Sequence, residues 1–170
     1  GAASSGPVSS LDMTDVITVR SPYDDSVIGE IPAQTAADVD RAVAIAKQAL
    51  HDNPLPLWKR ADILDKAAAR LTARREEFAR TITSEAGLAL REARYEVGRT
   101  IDVLRFAAME ALRDDGQIFS CDISAQGKSR KIFTTREPLR CAVAITPFNH
   151  PLNQVAHKLA PAIAAGTPII

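Results

Sequence analysis

Several things are scarce in this chain, and each scarcity removes a class of protein. Two cysteines in 170 residues are too few for a disulfide-stapled scaffold, and Cys121 and Cys141 lack metal-ligand spacing; reduced, mostly buried thiols are the expectation. Net charge is absent as well: 21 basic residues balance 21 acidic ones. That neutrality argues against a nucleic-acid surface and against a polybasic membrane anchor. No apolar run approaches the ~20 residues of a membrane-spanning helix; the most apolar stretch, 155–170, is broken by His157, Lys158, Pro161, Gly166 and Pro168. Residues 1–10 carry neither a basic segment nor an apolar one, so they do not read as a secretion signal. Residues 1–14 are expected to be a flexible tail or expression-vector remnant, and the protein is expected in the cytoplasm. Repeats are lacking, and so is any low-complexity tract beyond that tail. Small-molecule chemistry is the class left standing.

What is present suits one ordinary core: 46% hydrophobic and 25% charged residues. Val16 to Arg20 and Val27 to Ile31 flank a Ser-Pro-Tyr-Asp-Asp-Ser spacer and predict a β-hairpin. Thr35-Ala-Ala-Asp38 matches a capping box, opening a helix with apolar residues at 39, 42, 43, 46, 49 and 50 that stops before Asn53-Pro54. A second helical stretch is expected from about Pro56 to Ser84, broken near Leu71-Thr72. Its stripe includes Trp58, Ala61, Leu64, Ala68 and Leu71, and Gly87 is its stop. The spacing of 93, 97, 101, 104, 108 and 112 predicts a third helix over 89–113, ending before Asp114-Asp115-Gly116. Residues 127–137, with Lys128, Arg130, Lys131 and Arg136 around Ile132 and Phe133, read as an exposed β-ribbon, a partner-seeking edge.

The densest information lies from Arg136 to Pro151. Cys141 to Ile145 reads as a buried strand; a Thr146-Pro147-Phe148-Asn149 turn follows, and Pro151 opens an Ala-rich helix closed by Gly166. Strand, polar turn and helix start are how α/β proteins hold a cofactor and place a donor beside a reacting atom. Ile169 and Ile170 begin another apolar strand, which is why the chain reads as the front part of a larger enzyme.

Three blocks, in order, resemble the N-terminal part of the NAD(P)-dependent aldehyde dehydrogenase superfamily, from about residue 15 onward. The first is Ile82-Thr-Ser-Glu85-Ala-Gly87, similar to the family's Glu-x-Gly-Lys element. The second is Glu96-Val97 with the long helix that leads to Asp115-Gly116. The third runs from Arg136-Glu137-Pro138 through Thr146-Pro147-Phe148-Asn149 to Lys158-Leu-Ala-Pro161-Ala-Ile-Ala-Ala-Gly166. Departures are Leu88 and Ala89 where Lys-Pro is usual, Phe148 where Trp is common and Thr167 where Asn is common. Residues 112–122 and the Asn149-His150-Pro151 variant look most like the branch that oxidises phosphonoacetaldehyde.

The resemblance implies an α/β fold: a helical part of a coenzyme domain (15–119), an oligomerisation β-ribbon (120–137), and the first strand-turn-helix of a Rossmann-like parallel sheet (138–170). It implies a homodimer or homotetramer and oxidation of a small aldehyde with NAD or NADP. A cysteine thiolate forms a thiohemiacetal, hydride leaves for nicotinamide, and a glutamate-activated water releases the acid. That cysteine, the general-base Glu and the coenzyme-ribose Lys would lie beyond residue 170, so these residues alone are expected to be inactive. Asn149 becomes the side-chain donor to the oxyanion, with helix capping as its alternative. Ile145, Thr146, Pro147 and Phe148 match positions along the coenzyme, against the alternative of an ordinary strand end. Arg99 and His150 map to the anionic end of the substrate. The alternatives are a solvated ion pair of Arg99 with Glu96 or Asp102, and a helix-capping His150. Other readings are a dehydrogenase of lactaldehyde or of a phosphorylated aldehyde, and a non-catalytic assembly module docking through 127–137.

Overall fold

A computed structural model describes residues 16–52, 54–113 and 116–170; the expected tail at 1–14 and the stops at Asn53 and Asp114-Asp115 lie outside the described residues. The hairpin forms as β1 (Val16–Arg20) and β2 (Val27–Pro32), antiparallel from Val16 opposite Pro32 to Arg20 opposite Val27, with an irregularity at Val19/Arg20. Helix α1 spans Ala36–Asp52. Its capping box is made reciprocally: the Thr35 N–H donates to Asp38 Oδ2 at 2.6 Å, and the Asp38 N–H donates to Thr35 Oγ1 at 3.3 Å. Of the expected apolar face only Ala46 is buried, while Val39 and Ala49 stay exposed.

Helices α2 (Leu57–Ala73), α3 (Arg75–Ala86) and α4 (Leu90–Ala111) form the packed body. The break between α2 and α3 falls at Arg74, two residues beyond the Leu71-Thr72 step near which it was expected. Arg74 leaves helical geometry at φ −106°, ψ 19°, and its guanidinium holds Glu77 and lies 5.0 Å from the Phe78 ring centroid. Leu71 is instead buried in the core, so the apolar stripe runs through the point where a break was expected. Trp58 departs from its stripe too: it is 66% exposed, at the first turn of α2.

α4 lies at the centre, touching α2, α3 and the later helix α5 (Pro151–Ala165). One apolar cluster joins Ala68, Leu71, Ala79, Ile82, Val97 and Ile101; a second joins Ala61, Leu64, Ala108, Ala111 and Ala160. The many alanines at these seams let helix axes approach closely, because packing distance follows the size of the contact side chains. α3 ends at Gly87, with φ +71°. α5 ends at Gly166, with φ +73°, where the Arg60 side chain would collide with any Cβ.

The ribbon is present and exposed, but short. β3 (Ile118–Phe119) pairs with β4 (Ile132–Phe133), antiparallel, so the 127–137 edge already has a partner within the chain. The expected strand over 141–145 is reduced to one parallel bridge, Ala142 with Ile169, carried by three backbone hydrogen bonds: Ala142 N–H to Pro168 O, Ile170 N–H to Ala142 O and Ala144 N–H to Ile170 O. Burial was the wrong expectation here. Parallel strands are buried when sheet neighbours and helices cover them on every side, and the described residues supply one neighbour and one helix; Ile145 is 84% exposed. The unit is nonetheless a strand-helix-strand crossover, the start of a parallel sheet.

Candidate functional site

The site grows from the crossing of α4 and α5. Pro151 occupies the first turn of α5 and His150 is its N-cap residue, without a side-chain capping bond of its own. The cap comes from across the fold. Glu96, in the second turn of α4 and only 2% exposed, accepts the N–H groups of Leu152 at 2.9 Å and Asn153 at 3.0 Å through Oε1. A carboxylate at a helix N-terminus satisfies orphan donors and meets the positive end of the helix dipole. Below it, Thr100 Oγ1 donates to the Glu96 carbonyl at 3.0 Å and stands 3.5 Å from Asn153 Oδ1, with Thr100 and Asn153 both buried. A polar seam inside an alanine-rich interface thus fixes where α5 begins relative to α4.

The consequences for the expected site residues differ. Asn149 is exposed on the turn just before α5; helix capping, its alternative role, is taken by Glu96. The imidazole of His150, its side chain 48% exposed, places Nδ1 3.4 Å from Glu96 Oε2. That oxygen makes no hydrogen bond to the described residues; the contact is an approach of charge-capable groups without hydrogen-bond geometry. Arg99, one turn beyond Glu96 on α4, is exposed. The alternative for Arg99, an ion pair with Glu96 or Asp102, is not formed among the described residues. Glu96 is turned inward to α5, because its carboxylate has better donors there. Glu96 was named in the sequence as part of a motif and as a possible partner of Arg99, and its capping role left no local signal: the spacing between residues 96 and 152 carries no periodicity.

Ile145, Thr146, Pro147 and Phe148 follow the parallel bridge in chain order and are all exposed, Phe148 at 89%. They lie at the carboxyl end of a parallel strand, between it and a helix start, which is where open α/β sheets bind dinucleotides. Thr167, one of the departures, is buried, and its hydroxyl accepts the Leu139 N–H at 3.1 Å, tying the segment before the strand to the end of α5.

A cleft lies elsewhere. It measures about 1280 Å³ and runs between α2, α4 and α5, with Trp58, Phe106, His157 and Pro138 among its walls. None of Arg99, Asn149 and His150 lines it, so size alone does not make it the reactive site. Cys121 and Cys141 are free and half-buried, on the ribbon side and beside the bridge. No group of three metal-capable side chains occurs among the described residues, and no helix there is long and apolar enough to cross a membrane.

Comparison with known proteins accords with this geometry. An aldehyde-dehydrogenase-like protein of Sinorhizobium fredii is 43% identical over 155 residues, 91% of this chain and 30% of that protein. The 3-sulfolactaldehyde dehydrogenase of Priestia aryabhattai is 40% identical over 152 residues, 89% of this chain and 32% of its own length. Among solved structures, NADP-dependent glyceraldehyde-3-phosphate dehydrogenase from Bacillus halodurans, complexed with NADP, superposes with a TM-score of 0.87 at 34% identity, covering 93% of this chain and 34% of that one. The chain therefore spans about a third of the length of the relatives it matches. The sequence profile of the aldehyde dehydrogenase family matches residues 9–170, and with the strand-turn-helix unit in place the chain belongs to that family and carries the N-terminal portion of its fold.

Proposed function

We propose that the whole protein oxidises a short aldehyde bearing an anionic group to its carboxylic acid with NAD or NADP, phosphonoacetaldehyde being the substrate that the 112–122 and 149–151 residues favour. The carrying observation is the Asn149-His150 step. It lies at the carboxyl end of a parallel strand, and the helix behind it is capped by Glu96 rather than by either side chain. The Asn149 amide is thereby left for an oxyanion and the His150 ring for the substrate's far end. Arg99, exposed and without an ion-pair partner among the described residues, is a second donor for a phosphonate or sulfonate, for which a guanidinium fork is well shaped. Relatives named for a sulfonated and a phosphorylated aldehyde support an anionic substrate.

In this reading Asn149 donates its N–H to the carbonyl oxygen as negative charge gathers there. Ile145 to Phe148 present backbone and apolar surface to the coenzyme, which supplies the hydride acceptor. The 118–133 ribbon contributes to a homo-oligomer, and the protein works in the cytoplasm. Steady-state kinetics of the full-length enzyme test the roles. Asn149→Ala should lower kcat by about 10²–10³, the loss of one oxyanion donor. Arg99→Ala should raise KM for phosphonoacetaldehyde while sparing uncharged aldehydes such as lactaldehyde. Turnover untouched by Asn149→Ala sinks the oxyanion assignment, and an equal effect of Arg99→Ala on every aldehyde removes Arg99 from the substrate.

A further inference from the structure

We propose that Glu96 is a positioning residue for substrate charge: through one carboxylate it both fixes the start of α5 and aims the His150 imidazole at the anionic end of the aldehyde. The inference rests on the anionic-substrate reading above and adds a residue to it.

Two observations carry it. Glu96 uses Oε1 for the Leu152 and Asn153 N–H groups and leaves Oε2 buried, without a hydrogen bond among the described residues, facing His150 Nδ1 at 3.4 Å. A buried carboxylate oxygen with no donor is costly, and the ring nitrogen of His150 stands 3.4 Å from it. Imidazole nitrogens are on opposite edges, so the partner of one decides which proton the ring holds and where the other points. With Nδ1–H toward Glu96, Nε2 faces away from the seam, on a side chain still 48% exposed. When the ring is protonated, both N–H groups have acceptors: Oε2 on the protein side and a phosphonate or sulfonate oxygen on the other.

The same geometry excludes a rival anion site. The N–H groups of Leu152 and Asn153 are the ones a helix N-terminus ordinarily offers to an anion, and here a protein carboxylate already holds them. At the start of α5, therefore, a substrate anion is left to side chains. Glu96 would repel it at short range unless the imidazole stood between the two charges. His150 is the group in that place.

A double-mutant cycle on the full-length enzyme tests this, with phosphonoacetaldehyde and propanal as paired substrates. Glu96→Gln retains an oxygen for the α5 cap and removes the acceptor facing Nδ1. Its KM for phosphonoacetaldehyde should rise about tenfold more than its KM for propanal. In a His150→Ala background the same substitution should add nothing to that ratio. Additive effects, or a Glu96→Gln loss equal for both aldehydes, overturn the inference and leave Glu96 as a cap alone. His150→Ala that leaves the phosphonoacetaldehyde KM at the wild-type value sinks the anionic-end role of His150 and this inference together, so the two failures are distinguishable. A measurement on the unsubstituted enzyme stands beside these: nitrogen NMR of ring-labelled histidine, assigned with His150→Ala, should find Nδ1 protonated. A neutral ring with its proton on Nε2 overturns the proposal even if Glu96→Gln does not fold.

Discussion

At the scale of single residues, chemistry and conformation are set by different neighbours. Asn149 and His150 owe their availability to Glu96, more than fifty positions earlier in the chain, because that carboxylate does the capping either could have done. Gly87 shows the conformational side. It ends α3 with φ +71°, and a Cβ there would stand 2.8 Å from Pro22 Cγ, in the hairpin turn. Both facts penalise any side chain. Gly87→Ala should lower stability by about 1–2 kcal/mol from the left-handed backbone alone, with the Pro22 contact adding to it. A denaturant midpoint unchanged by the substitution refutes this account.

At the scale of elements, local sequence rules worked wherever the partner groups are close in the chain. The Thr35–Asp38 box formed as expected, and its hydrogen bonds make a pH prediction. Hydrogen bonds from the Thr35 side chain and backbone, aided by Arg41, hold the Asp38 carboxyl below its ordinary 3.8. A carboxyl with a depressed folded value binds protons more readily when unfolded. Its contribution is therefore complete above 3.8 and is lost as pH falls through the lowered value. The difference in thermal midpoint between the protein and Asp38→Asn should be present near neutrality and vanish on acidification through that window. A difference that persists in acid contradicts the capping-box cause. The Arg94–Glu76 pair between α4 and α3 holds its carboxyl low in the same way, but it is exposed and counts for little.

At the scale of the whole molecule, two apolar clusters meet along α4 while other apolar faces stay open. Trp58 and Phe106, each 66% exposed, flank the 1280 Å³ cleft, and Ile45 on α1 is uncovered. Monomeric proteins rarely show contiguous apolar patches beyond a few hundred Å². The 170-residue polypeptide by itself should bind an apolar dye and self-associate, and Trp58→Gln with Phe106→Gln should diminish both. Unaltered dye fluorescence in that double variant places the exposed patch elsewhere.

Periodicity and punctuation in the sequence determined the helices, the hairpin and the two glycine stops, since each depends on residues three or four apart or on one backbone angle. The strand-turn-helix block, read with its family resemblance, located Asn149 and the turn around it. Burial of 141–145 was misjudged, and the break after α2 was expected two residues early, because both depend on what packs alongside: sheet neighbours in one case, the core position of Leu71 in the other. Only tertiary structure decided that Glu96 faces α5 rather than Arg99, and that its second oxygen comes within 3.4 Å of His150 Nδ1. A cap between residues 96 and 152 is a contact between two packed helices, and no local pattern of side chains encodes which oxygen will meet which N–H.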